Sequence, residues 1–113
     1  MPRPSKITQA PPAAVADALA RLGRDLRTAR LRRRLRLEDL AERVGVSRYV
    51  MSDIEKGKPS TAAATYVGAL WALGLLNQLE TLADPDRDEE GKALERARAP
   101  KTARTSRTLD NEF

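Results

Sequence analysis

The 113-residue chain has no cysteine and no histidine, and its aromatic residues are limited to Tyr49, Tyr66, Trp71 and Phe113. Without cysteine there are no disulfides and no thiol chemistry. Without histidine as well, zinc-finger ligand sets are excluded, and any metal would have to be held by carboxylates alone. So few aromatics offer no platform on which single-stranded bases could stack, which argues against an RNA-binding role. No apolar run is long enough to span a membrane. The N-terminus contains proline and serine but no apolar core segment of a secretory signal, so a cytoplasmic chain is expected. No residues form a catalytic constellation, and neither an enzyme nor a cofactor is implied.

What the chain does have is positive charge, a formal +5, unevenly distributed. Residues 1–12 hold Pro2, Pro4, Pro11 and Pro12 with Arg3 and Lys6, and read as a flexible basic arm. From Ala13 the pattern turns helical, with Val15, Leu19, Leu22, Leu26 and Ala29 on one stripe. The other faces carry Arg21, Arg24, Arg27 and Arg30, followed by Arg32, Arg33, Arg34 and Arg36, against the single acid Asp25. Such a one-signed cluster repels itself unless something anionic lies opposite: phosphates, or an acidic protein surface.

The stretch LEDLAERVGVSRYVMSDIEKG, residues 37–57, is the most specific. Leu37, Leu40, Ala41 and Val44 predict a short amphipathic helix, with Glu38 and Asp39 in the first turn where the helix dipole favours acids. Gly45 is placed to end it in the left-handed conformation, and Ser47 to cap a second helix. That helix turns Val50, Met51 and Ile54 inward and Arg48, Tyr49, Ser52, Asp53 and Lys56 outward. Two short helices meeting at a tight glycine turn make a helix-turn-helix. Its outward face suits a DNA major groove, or is simply a solvated face.

After Pro59, a helix capped by Ser60 or Thr61 is expected to turn Ala63, Val67, Leu70 and Trp71 inward and to stop at Gly74. Leu75, Leu76, Leu79 and Leu82 predict one more short helix, ending near Asp84. These are more leucines than a small bundle readily buries. Trp71 is therefore either a core residue or, with Leu75, Leu76 and Leu79, part of a homodimer interface. Residues 85–113 run from acidic (Asp86, Asp88, Glu89, Glu90) to basic. They have no stripe to support a packed element beyond a turn or two within Ala93 to Ala99, and read as a mostly disordered tail. With no internal repeats, residues 13–84 form one all-α domain of four or five short helices.

The segments LGRDLRTARLRRRL, LEDLAERVGVS, SDIEKG and ALWALGL together resemble the Cro/repressor-type helix-turn-helix family, the XRE family, from about Leu19 to Leu76. The resemblance rests on Leu40, Ala41, Gly45, Ser47, Ile54, Glu55 and Gly57 at the family's spacing. It implies a lambda-repressor-like fold and a dimer on palindromic double-stranded DNA. Bases would be read by Arg48, Tyr49, Ser52 and Asp53, and phosphates bound by Arg30, Arg33, Arg36, Ser47, Lys56 and Lys58. It also implies an ion pair between Arg30 and Glu55. ALWALGL, the acidic-then-basic tail and the ending LDNEF further resemble the HipB-like antitoxin branch, whose members neutralise a HipA-type protein kinase toxin. In that case Lys101, Arg104, Arg107 and Phe113 would meet the partner.

The chain departs from the family pattern at three positions. Arg36 stands at the usual Ser or Thr cap, Leu37 at a position often held by a phosphate-binding Gln, and Arg34 where Gly commonly ends the first helix. The last implies a costlier turn or a longer helix. The reading is thus a DNA-binding repressor, with an antitoxin role implied by the looser similarity. The alternatives are a stand-alone regulator of the same family, and an interaction protein whose arginine surface binds an acidic partner.

Overall fold

The computed structural model describes residues 5–98, and Lys101, Arg104, Arg107 and Phe113 lie outside that range. Among the described residues every regular element is helical: α1 Lys6–Gln9, α2 Ala13–Arg32, α3 Leu37–Val44, α4 Arg48–Glu55, α5 Ala63–Ala72 and α6 Glu89–Arg98. Short 3-10 helices lie at Leu76–Thr81 and Pro85–Arg87. None of these helices is long and apolar enough to cross a membrane. The fold divides into two compact units between Asn77 and Gln78.

In the first unit, α3 packs on α4 and α5, and α2 packs on α4. The core is built from Leu26 and Ala29 of α2, Leu40 and Ala41 of α3, Met51 and Ile54 of α4, and Tyr66, Ala69 and Leu70 of α5, with Leu73. Leu26, Leu40, Met51 and Ile54 are essentially sealed from solvent, and each such side chain contributes about 1.5–3 kcal/mol by leaving water. The stripe expected on α2 is confirmed, fully buried at Leu26 and Ala29 and half-buried at Val15, Leu19 and Leu22.

Two turns set the path of the chain. Gly45 ends α3 at φ 88°, and its N–H and that of Val46 both bond to the Ala41 carbonyl, at 2.8 and 3.0 Å. That left-handed step needs glycine's freedom. The turn after α2 makes the same kind of step without it. Arg34 sits at φ 54°, so of the two expected alternatives, a costlier turn or a longer helix, the chain takes the costlier turn, at about 1 kcal/mol for a residue with a Cβ. Where α2 crosses α4 the backbones nearly touch. A Cβ on Gly23 would fall 2.5 Å from the Glu55 carbonyl oxygen, and one on Gly57 would collide with the Leu19 backbone.

Apart from the helical turn Lys6–Gln9, which lies within the stretch expected to be a flexible arm, the structure differs from the sequence pattern in three places. On α5, Ala63, Val67 and Trp71 are exposed, and of the expected inward set only Leu70 is buried; the inward stripe is Tyr66, Ala69, Leu70 and Leu73. Because α5 is almost uniformly apolar, periodicity does not set its rotation. Tyr66 does, by donating its hydroxyl to the Lys58 carbonyl at 2.9 Å, together with Gly68, whose missing side chain leaves room for Val44. The cap of α5 is Ala62, which makes no side-chain bond, in place of Ser60 or Thr61.

The third difference lies in the second unit, where Glu89–Arg98 is helical although no apolar stripe predicts it. It is stabilised locally: the Asp88 carboxylate accepts the Gly91 N–H at 2.9 Å, two glutamates occupy its first turn and Arg96 and Arg98 its last, as the helix dipole favours. None of its residues is buried.

The close crossing of α2 and α4 sets an expected outcome. Gly23→Ala should lose about 2 kcal/mol of stability in denaturant titration, because the added methyl meets rigid backbone. Gly45→Ala, whose Cβ would meet nothing, should lose only about 1 kcal/mol, the cost of a left-handed alanine.

Candidate nucleic-acid interface

The second helix of the turn motif is fixed at both ends and along one side. At its start, the Ser47 hydroxyl accepts the Val50 N–H at 3.2 Å, the cap the sequence predicts. Met51 and Ile54 anchor it below. At its end, Glu55 receives two bonds from Arg30 of α2, Nε to Oε2 at 2.6 Å and Nη2 to Oε1 at 3.0 Å. The remaining terminal nitrogen of Arg30 donates to the Leu35 carbonyl at 2.9 Å. Both side chains are about nine-tenths buried, 10% and 8% exposed. A bidentate guanidinium–carboxylate pair sets orientation as well as distance, so α2, the α2–α3 turn and α4 are held by one guanidinium. The bond to Glu55 holds the Arg30 guanidinium above its ordinary pKa, against the opposing effect of burial.

Arg30 is the one proposed phosphate contact whose surroundings redirect its role. It is 8% exposed with its donors committed inward, which makes it the tether of α4 rather than a free cation. The others are accessible. Arg33 is exposed, with one terminal nitrogen on the Ala29 carbonyl at 2.8 Å. Ser47, Lys56 and Lys58 are exposed as well. Arg36 caps α3 in an unusual way. A guanidinium cannot accept a hydrogen bond, but the Asp39 carboxylate accepts the Arg36 backbone N–H at 2.9 Å, and the Arg36 side chain at 3.0 and 3.2 Å. Half of a capping box therefore survives the loss of Ser or Thr. These bonds hold Asp39 below the usual carboxylate range and Arg36 above its own.

The outward face of α4 carries the residues the resemblance assigns to base reading. Arg48 and Tyr49 are exposed, Tyr49 at 71%, and Ser52 and Asp53 half-exposed. The Arg48 guanidinium lies 5.2 Å from the centre of the Tyr49 ring. Asp53 reaches the Lys58 ammonium at 3.2 Å. Three participants escape the sequence reading: Glu38, whose carboxylate lies 3.8 Å from Arg36 and 3.9 Å from Arg48; Arg27, 4.0 Å from Glu55; and Tyr66, which pins the loop carrying Lys58. Glu38 reads in sequence only as a first-turn acid, because its partner Arg48 lies on the next helix.

Of the residues assigned to a dimer interface, Trp71 is 61% and Leu76 41% exposed, which removes the core alternative for Trp71. Leu75 is half-buried beside them. Leu79, also half-buried, belongs to the second unit.

A capped helix with polar groups turned outward, braced on a second helix across a glycine turn and flanked by arginines, defines a helix-turn-helix DNA-binding domain. Residues 21–82, more than half of the chain, match the family model described as a helix-turn-helix domain, and the chain belongs to that family. No curated protein and no solved structure matches it.

Two outcomes follow from the bracing groups. Glu55→Ala should cost about 3 kcal/mol, because Arg30 is left charged and buried without a partner. Adding Arg30→Met should recover part of that loss in the same denaturant titration. The Asp39 carboxylate, with its pKa lowered in the folded state, contributes stability in full above the ordinary carboxylate value of about 3.9 and loses it as pH falls through the lower folded value. Wild type should therefore lose more thermal stability than Asp39→Asn between about pH 5 and about pH 2.

Proposed function

We propose that the chain is a sequence-specific transcriptional repressor that inserts α4 into the major groove of a palindromic operator as a homodimer. The observation that carries this reading is the outward face of Arg48, Tyr49, Ser52 and Asp53 on a helix tied to its neighbour by the buried Arg30–Glu55 pair. Base reading needs side chains held at a fixed depth and angle, and phosphates around the groove need the accessible cations that Arg33, Arg36, Lys56 and Lys58 supply. A helix this short sees few base pairs. Two copies on half-sites about one turn apart extend the sequence read, and a dimer lying across an operator excludes other proteins from it. Trp71 and Leu76, both exposed in the first unit, are the apolar contact offered for dimerisation.

A finer part of the proposal rests on sequence similarity alone: that this regulator is the antitoxin of a HipA-type kinase, which it engages through Lys101, Arg104, Arg107 and Phe113. Co-expression with the product of an adjacent kinase-like gene, with and without residues 99–113, tests it. Loss of co-purification on truncation is the expected result, and unchanged co-purification removes the tail from the partner interface.

For DNA, a duplex selected by the wild-type protein from a randomised pool is compared with a random duplex by fluorescence anisotropy. Arg48→Ala should cost about 1–3 kcal/mol on the selected duplex and less on the random one. Arg33→Ala should weaken both alike and flatten the salt dependence. Equal losses for Arg48→Ala would take it out of the base-reading set. Light scattering should find a dimer at micromolar concentration, converted to monomer by Trp71→Glu; a monomeric wild type would remove the dimer.

A further inference from the structure

The outward face of α4 is not uniformly basic. Each end carries a carboxylate placed against a cation that DNA would otherwise attract. Glu38, in the first turn of α3, bridges the side chains of Arg36 and Arg48, with its two oxygens 3.8 and 3.9 Å from their nitrogens. The three side chains are roughly half or more exposed, at 48%, 73% and 57%, so the bridge is a surface feature and contributes little to stability. Its position gives it another consequence. Arg48 is the first residue of α4, and its guanidinium lies beside the Glu38 carboxylate, at 3.9 Å, and over the Tyr49 ring, at 5.2 Å from its centre.

We infer that Glu38 is a specificity-determining positioning residue, which restrains the Arg48 guanidinium so that phosphates alone do not capture it and a base edge in the correct sequence does. A random duplex offers Arg48 only diffuse phosphate charge, from which the competing carboxylate subtracts in full. At the correct site the other nitrogens of the guanidinium donate to paired acceptors on a guanine edge while Nη1 stays beside Glu38, so there the carboxylate orients the contact instead of only competing with it. The carboxylate thus lowers binding to random DNA more than binding to the chosen sequence. Specificity is that difference.

This inference rests on the DNA-binding reading and is tested separately from it. Glu38→Gln keeps the size of the side chain and removes its charge. It should lower the thermal unfolding midpoint only slightly, by the lost first-turn charge, raise affinity for a random duplex by up to about fivefold, the upper end of one surface ion pair, and steepen the salt dependence. Affinity for the duplex selected by the wild type should rise less, so that the ratio of the two falls. Glu38→Asp, which retains the charge, should keep the ratio close to wild type. In an Arg48→Ala background, Glu38→Gln should raise both affinities equally, since the residue through which it acts is gone. Equal gains on the two duplexes with Arg48 present would overturn the inference, as would a fall in the ratio that persists without Arg48. A wild-type protein that binds no duplex at all would instead overturn the DNA-binding reading, and one that binds but selects no sequence would leave Glu38 nothing to discriminate and refute its role.

Discussion

The geometry of the helix-turn-helix depends on one buried ion pair, Arg30 with Glu55, and on the energetic asymmetry such pairs have. Desolvating two charges costs about as much as their attraction returns, so the pair adds little net stability compared with well-packed apolar residues. What it supplies is direction. The guanidinium fork accepts one carboxylate orientation and, through its third nitrogen, also holds the Leu35 carbonyl in the turn before α3. A core of leucine, methionine and alanine tolerates small rotations of its helices. A bidentate bond across the α2–α4 crossing tolerates them far less, and the backbone contact at Gly23 limits approach from the other side. The pair sets the angle and the glycine sets the depth.

Around this fixed frame several exposed charges form small groups: Arg36 with Asp39 and Glu38, Arg48 with Glu38, Lys58 with Asp53. A chain with a formal charge of +5 needs no further help in being attracted to phosphate. Its difficulty is to let go of the wrong DNA. Local carboxylates among the cations address that difficulty, since they reduce the sequence-independent part of binding without changing the shape of the surface. Arg33, exposed at the C-cap of α2 and in contact with no carboxylate among the described residues, is left to supply general attraction.

What the sequence determined by itself was local. The ends of α3 and α4, the left-handed Gly45, the Ser47 cap and the division of α4 into inner and outer faces were all legible, because each depends on residues within about one or two helical turns of one another. The Arg30–Glu55 pair was legible only through family resemblance, and its burial was not. Tertiary structure alone decided the rotation of α5, where a nearly all-apolar helix has no periodic signal and the Tyr66 hydroxyl bond to the Lys58 carbonyl, with the space left for Val44 at Gly68, selects the inward face. It decided that Trp71 faces outward, that Arg34 takes up a left-handed turn, and that Glu38 meets Arg48. Local propensity acts through neighbours along the chain and leaves a periodic trace in the sequence. Contacts between helices join residues at separations that carry no period, so they appear only when the chain is folded.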